Sequence, residues 1–262
     1  MQTLESYIHH CLERQKNAGV NPILLMSHLV LGHPSLDENR LVIDQMVANG
    51  VEIMELQIPF SEPIADGPVI AHANQMALDQ GFSVRSGLQF IAEITHRHAI
   101  PFLIMTYYNI LLAYGVRDFI EQLAKIGVRG LIVPDLPLEI AEEPMQLCKE
   151  NGLDWIQILT PTSGDRLKML GKAASGFCYC VARKGVTGSK TDFGAELSDF
   201  IQTCRQVTHL PLAVGFGVQN QGDVNHLAKY AEIAVVGTAS LRIYETEGAD
   251  AVGKFFKNLR PV

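Results

Sequence analysis

Short apolar runs and amphipathic stretches alternate along this chain. Leu4, Ile8, Cys11 and Leu12 recur at helical spacing and predict a short opening helix. Asn21-Pro22 leads into a nearly continuous apolar strand over residues 23–31. Ser35-Leu36-Asp37-Glu38 has capping-box spacing and starts a helix that Asn49-Gly50 ends. A second strand, residues 52–58, runs into a long, polar, proline-broken loop, and helices follow over 71–79 and 84–96. The same alternation predicts strands over 100–105, 130–134, 154–159, 177–182, 211–217 and 232–237. It places helices over 116–126, 138–150, 164–174, 195–207, 221–230 and 240–259. Strands rich in continuous Val, Ile and Leu and bounded by helices indicate a parallel sheet covered on its outside. Eight βα units in 262 residues predict an α/β fold, a closed (β/α)8 TIM barrel with a short N-terminal helix, spanning 1–262 as a single domain. An open doubly wound sheet is the alternative. No linker, charge block or low-complexity stretch marks a second domain.

One strand breaks the apolar rule. On period-2 alternation Ile53, Glu55 and Gln57 share one face, while Met54, Leu56 and Ile58 share the other. If the apolar set faces the helices, Glu55 points into the middle of the fold, where a carboxylate is costly unless paired or protonated. A second acid, Asp66, follows 66 − 55 = 11 residues later in the loop that leaves the strand. The plain alternative is a buried Glu paired with an Arg, with Asp66 as a loop-forming residue. The functional reading is a carboxylate pair for acid–base chemistry.

In a barrel the working face lies at the C-terminal ends of the strands. Polar residues and glycines concentrate there: Gly32-His33, the 59–68 loop, Thr106 to Asn109, Asp135, Thr160, the 183–194 loop, Gly215 to Gly217, and Gly237-Thr238. The two longest βα loops, after the second and sixth strands, are the natural lids. Gly215, Gly217, Gly237 and Thr238 fall at the seventh and eighth strands, where barrel enzymes often hold phosphate with backbone N–H groups and a helix N-terminus. Gly188 adds another N–H if its loop closes. Tyr107, Tyr179 and Phe216 suggest a flat apolar substrate part beside the phosphate, although a single aromatic is more often packing.

A Schiff-base aldolase needs a lysine on an inward strand position, and no lysine lies within a predicted strand. Metal chemistry needs convergent His, Asp or Glu ligands; His28 and His33 are the only histidines near the working face of the first strand, so no metal is expected. A net charge of −7 argues against a nucleic-acid or anionic-membrane surface without excluding a local anion pocket. The five cysteines form no CxxC and are expected to be reduced thiols in the cytoplasm. The N-terminus lacks the apolar core of a signal peptide, and the 23–31 run is far short of a membrane span.

Glu55-Leu56, Pro59-Phe60-Ser61 and Pro63-Ile64-Ala65-Asp66-Gly67-Pro68 resemble the signature of the tryptophan synthase alpha chain family. Met105 to Asn109, Pro134-Asp135-Leu136-Pro137, Arg183 to Gly188 and Gly215-Phe216-Gly217 are similar to that family's segments, in order, over about residues 22–240. The resemblance implies cleavage of indole-3-glycerol phosphate to indole and glyceraldehyde 3-phosphate by reversal of an aldol-type bond, in tryptophan biosynthesis. It implies that Glu55 protonates indole C3, and the inward strand face independently predicts a partly desolvated Glu55 with a raised pKa. Asp66 then stays ionised, binds the indole N–H and is positioned by closure; the acceptor of the glycerol hydroxyl proton stays open. Tyr107 and Tyr179 match active-site tyrosines, Gly188, Gly217, Gly237 and Thr238 match phosphate contacts, and Thr187 matches the residue that orders Asp66. It further implies a beta chain partner holding pyridoxal phosphate in an α2β2 tetramer, with no cofactor in this chain. Several residues depart from the family pattern. Ser27-His28 stands for Pro-Phe in the indole wall, Gln57 for Gly, Glu62 for Asp, His33 for Asp and Thr238 for Ser. These leave a second hypothesis, a catalytically weak regulatory subunit that binds the beta chain.

Overall fold

The computed structural model describes residues 3–181, 195–215 and 217–260. Nine strand segments form a single all-parallel sheet: β1 (Leu24–Val30), β2 (Ile53–Gln57), β3 (Phe102–Met105), β4 (Gly130–Ile132), β5 (Asp154–Trp155), β6 (Gln157–Leu159), β7 (Cys178–Val181), β8 (Leu212–Gly215) and β9 (Ile233–Val236). Their order is β5-β4-β3-β2-β1-β9-β8-β7-β6. The two edges, β5 and β6, are consecutive pieces of chain separated by Ile156, so the sheet closes through its own fifth strand. Merging those two segments leaves eight barrel strands, the (β/α)8 architecture read from the sequence.

The alternation in β2 holds. Ile53 packs inside the barrel with Leu24, Met26, Leu103, Ile132, Phe177 and Ile233. Met54, Leu56 and Ile58 pack outside, against the helix layer with Ile43, Met46 and Ile91. The opening helix, Leu4–Asn17, is capped by Thr3, whose side chain accepts from the Ser6 N–H. Its Leu4 and Ile8 are fully buried in the same cluster as the inward strand residues, so the helix plugs the bottom of the barrel. Burying two such side chains is worth about 1.5–3 kcal/mol each. The interior of the lower barrel is therefore filled with apolar side chains, and the cavity bearing the acids lies at the top.

Several boundaries differ from the sequence reading. The helix expected over 240–259 is two helices, Thr238–Glu247 and Ala249–Leu259, because Gly248 takes φ 81° between them. The stretch after β3, read as loop, is the helix Tyr108–Tyr114. The helix expected over 138–150 starts as a 3-10 turn and becomes regular only at Glu142–Glu150.

The chain's last helix is tied to the start of β2. Arg260 Nη1 lies 3.0 Å from Glu52 Oε1 and Arg260 Nη2 donates to the Gly50 carbonyl at 2.6 Å. Glu52 also accepts from Gln15 Nε2 and the Leu25 N–H, both at 2.9 Å. Burial pushes the Glu52 carboxyl up, and Arg260, the Leu25 N–H and Gln15 pull it back. Removing Arg260 leaves a largely buried carboxylate short of its cation. We expect Arg260→Ala to lower unfolding free energy by about 2–3 kcal/mol, seen as a lower urea midpoint at unchanged slope. A change below about 0.5 kcal/mol would show that the clamp contributes nothing net.

Candidate active site

Glu55 is 3% exposed and sits on the inward face of β2. The parallel register places His28 of β1 directly across from it. His28 Nδ1 lies 3.1 Å from Glu55 Oε1. The buried acid thus has a partner, and it is a histidine rather than the arginine of the plain alternative. Burial works against a charged imidazole at His28. The Glu55 carboxylate and its hydrogen bond, with Asp66 and Gln57, outweigh it, and the net shift is upward. The sequence marked His28 as a polar substitution in an apolar wall. Only the register shows that it meets the acid, since a slip of one residue would turn it outward.

Asp66 lies at the end of the β2 loop, just before the helix Pro68–Asp79, which starts with Gly67 as N-cap and Pro68 in its first turn. The loop's Ser61, Glu62, Ile64 and Ala65 are exposed, but Asp66 folds back over the barrel mouth. Its Oδ2 accepts from Gln57 Nε2 at 2.6 Å and from the Tyr107 hydroxyl at 3.0 Å. Tyr107 is fully buried, stacks on Phe60 at 5.0 Å between centroids, and also accepts the Ala65 N–H at 3.2 Å. Asn74 completes the support: its Oδ1 takes the Phe60 N–H at 3.0 Å and Gln57 Nε2 at 3.3 Å. Burial pushes the Asp66 carboxyl up, while His28, Gln57 and Tyr107 pull it down. Asp66, expected as a loop acid positioned by closure, is partly buried, and Gln57 and Tyr107 already hold it.

His28, Glu55 and Asp66 line a cavity of about 500 Å³ with Tyr179, Gly217, Gly237 and Thr238. Met105, Ile132, Ile158 and Val235 give it apolar walls. Its volume and mixed lining suit a small molecule. Tyr107 does not line it and acts from behind, through Asp66. Gly237 is the N-cap of the helix Thr238–Glu247, so Thr238 and the first N–H groups of that helix face the cavity with the positive end of the helix dipole. Gly217 takes φ 77°, a backbone state that favours glycine. Tyr179 lies against Gly215, where an added Cβ would come within 2.9 Å of the ring. Burial, with Glu55 and Asp66 nearby, pushes the Tyr179 hydroxyl up, so it stays neutral. Thr187, Gly188 and Phe216, expected at this site, lie outside the described residues. A larger groove of about 1360 Å³ lies at the starts of β4 and β5, beside Arg129 and Asp154, on the face a barrel uses for stability rather than chemistry. None of the nine strands carries a lysine, and among the described residues no group of three or more His, Cys, Asp or Glu could hold a metal ion.

Buried acids at the C-terminal mouth of a (β/α)8 barrel, facing a helix N-terminus across an apolar cavity, define an enzyme of the acid–base barrel class. Comparison with known proteins narrows the class. Residues 14–258 match the family model described as tryptophan synthase alpha chain. The tryptophan synthase alpha chain of Desulforapulum autotrophicum is 47% identical over 98% of this chain and 99% of its own length. That of Desulfotalea psychrophila is 48% identical over 91% of this chain and 94% of its own. Among solved structures, tryptophan synthase of Mycobacterium tuberculosis superposes with TM-score 0.88 at 31% identity, covering 98% of this chain and 96% of the other. A tryptophan synthase complex from Pyrococcus furiosus gives 0.81 at 30%, covering 92% and 98%. The chain belongs to the tryptophan synthase alpha chain family. Its reaction is the carbon–carbon lyase step that cleaves indole-3-glycerol phosphate to indole and glyceraldehyde 3-phosphate.

Two outcomes follow from this geometry. Folded Asp66 binds its proton more tightly than the unfolded chain does, so its contribution to stability is complete at low pH and is lost as pH rises through its raised folded pKa. Asp66→Asn should therefore melt higher than the parent near pH 7, with the gain vanishing near about pH 3; parallel melting curves across pH would contradict this. Gly215→Ala should push the Tyr179 ring off its seat at a stability cost of about 1–3 kcal/mol, and should weaken binding of a substrate analogue by calorimetry.

Proposed function

We propose that Glu55 is the acid that protonates indole C3 and that Asp66 receives the ring N–H as positive charge develops there. The observation that carries this reading is the free oxygen of Glu55. Oε1 is engaged by His28, while the buried Oε2 has no hydrogen-bond partner among the described residues, and the side chain lines the cavity. Asp66 faces the same cavity, already oriented by Gln57 and Tyr107, as a group that stabilises a cationic ring must be. The substrate phosphate binds at Gly217, Gly237 and Thr238, where the helix dipole and backbone N–H groups favour an anion. Gly188 and Thr187 serve phosphate and Asp66 from the 183–194 loop, and Tyr179 packs on the substrate ring. With the whole of 1–262 as one barrel domain, the substrate spans from the acids to the anion cradle inside a single cavity.

The partner in this reading is a beta chain carrying pyridoxal phosphate, in an α2β2 assembly that takes up the indole; this chain contributes no cofactor. Ile64 in the β2 loop, 74% exposed, and Leu112 after β3, 53% exposed, give the working end apolar surface for such a partner. A cytoplasmic setting fits five buried cysteines that are all free. The pairing of His28 with Glu55 and of Gln57 with Asp66 also favours the second reading, a binding subunit whose own turnover is weak, because both acids already have partners.

An indole assay on this chain, alone and mixed with beta chain, separates the two. Release in the mixture supports the lyase, and release in neither supports the binding subunit. Glu55→Gln should cut indole release by roughly 10²–10⁴-fold while a phosphorylated analogue still binds. Full activity in that variant would remove Glu55 as proton donor.

A further inference from the structure

We propose that His28 is a positioning residue that shares the working proton with Glu55, so that the two side chains act as one buried acid rather than as an acid beside a wall. The proposal rests on the assignment of Glu55 above and deepens it.

The two groups are register partners on adjacent strands, both inward, with His28 9% and Glu55 3% exposed. Their contact uses Nδ1 and Oε1. That leaves His28 Nε2 and Glu55 Oε2, both buried and both without a hydrogen-bond partner among the described residues. Such a pair holds two protons, one in the Nδ1–H···Oε1 bridge and one mobile. The mobile proton has two seats, Nε2, giving imidazolium and carboxylate, or Oε2, giving neutral imidazole and carboxylic acid. The bridge survives in both forms. From the second form Glu55 gives its proton to the ring carbon. The Oε2–H bond breaks, a C–H bond forms with the ring π pair, and the new carboxylate is already held by the Nδ1–H donor. When the carbon–carbon bond breaks, its electron pair returns to the ring and the substrate hydroxyl becomes a carbonyl. The hydroxyl proton goes back to Oε2, so the pair ends as it began.

The surroundings favour proton retention. Asp66 and Gln57 bear on His28 from β2 and its loop, and both raise its proton affinity. Tyr179 of β7 faces the cavity as a neutral phenol, and Tyr107 stands behind Asp66. Arg242, from the helix after β9, also lines the cavity. His33, which shares a small cavity with His28, lies 3.3 Å from Glu245. The result is an imidazole, in contact with the acid, whose proton is held more tightly than in an ordinary histidine.

The test uses His28→Asn, because an Asn amide can still donate to Oε1 but offers no second proton seat. In the complex with beta chain, kcat for indole release should lose its alkaline limb at least one pH unit earlier than in the parent, a tenfold change in proton concentration, with KM within about threefold. An unmoved limb overturns the proposal. NMR on the unaltered chain gives a second readout that does not depend on how that variant folds. The His28 imidazole should titrate above about 6.5, its ordinary value, and should drop in Glu55→Gln. Titration at or below 6.5 in the parent overturns the proposal. Activity retained in Glu55→Gln would sink the Glu55 assignment itself, whereas an inactive Glu55→Gln with an unmoved His28→Asn limb sinks only the shared proton.

Discussion

A carboxylate inside a ring of parallel strands must be answered by a donor or a cation, because water is not there to do it. In this barrel the answer comes from the neighbouring strand: His28 meets Glu55 across the β1–β2 ladder. Most of the site depends on that contact. It holds one carboxylate oxygen of the inward-facing Glu55 and leaves the other without a hydrogen-bond partner among the described residues. It also puts a titratable ring within electrostatic reach of Asp66. Apart from Asp154 at the start of β5, His28 and Glu55 are the only charged-type side chains on the strands, so the barrel concentrates its electrostatic cost at one place.

The rest of the architecture makes that cost bearable and useful. Below the pair the interior is filled with apolar side chains, Leu4 and Ile8 of the opening helix among them. Above it the strands end in glycines and short polar groups. The same period-2 alternation that sends Met54, Leu56 and Ile58 to the helices sends Ile53, Glu55 and Gln57 inward in ascending layers: apolar floor, acid, then the amide that holds Asp66. A low-dielectric floor strengthens every interaction in the layer above it, including the pull of the helix N-terminus at Thr238 on an anion.

Much of this was legible in the sequence, for reasons specific to each residue. The inward direction of Glu55 follows from alternation alone, and the barrel follows from eight repeats of strand and helix. The position of Asp66, Gly217, Gly237 and Thr238 at the barrel mouth was legible because turn chemistry and strand ends are local signals. Three things were hidden because they are not local. The His28–Glu55 contact depends on register between strands 27 residues apart in sequence. The burial of Asp66 depends on Tyr107 reaching it from behind, 41 residues further along. The break in the fifth strand at Ile156 and the kink at Gly248 depend on how the chain must bend to close and cover the barrel. The helix Tyr108–Tyr114 was missed for a different reason: its residues were read as site loop because they follow a strand end.

Two polar residues, His28 and Gln57, are neighbours around one electrostatic centre. His28 engages Glu55, and Gln57 donates to Asp66. Both bear on the same electrostatic centre, since Gln57 raises the proton affinity of His28 and His28 lowers that of Asp66. A glycine at position 57 would free Asp66 of one donor, and an apolar ring at position 28 would free Glu55 of its only named partner. Either change alone strands an acid that the other substitution helps to balance, so the energetics of the two positions are coupled rather than additive. The two acids of this barrel are therefore held by a cross-braced set, with β1 supporting the first and β2 supporting the second, and Glu55 nearby raises the proton affinity of Asp66.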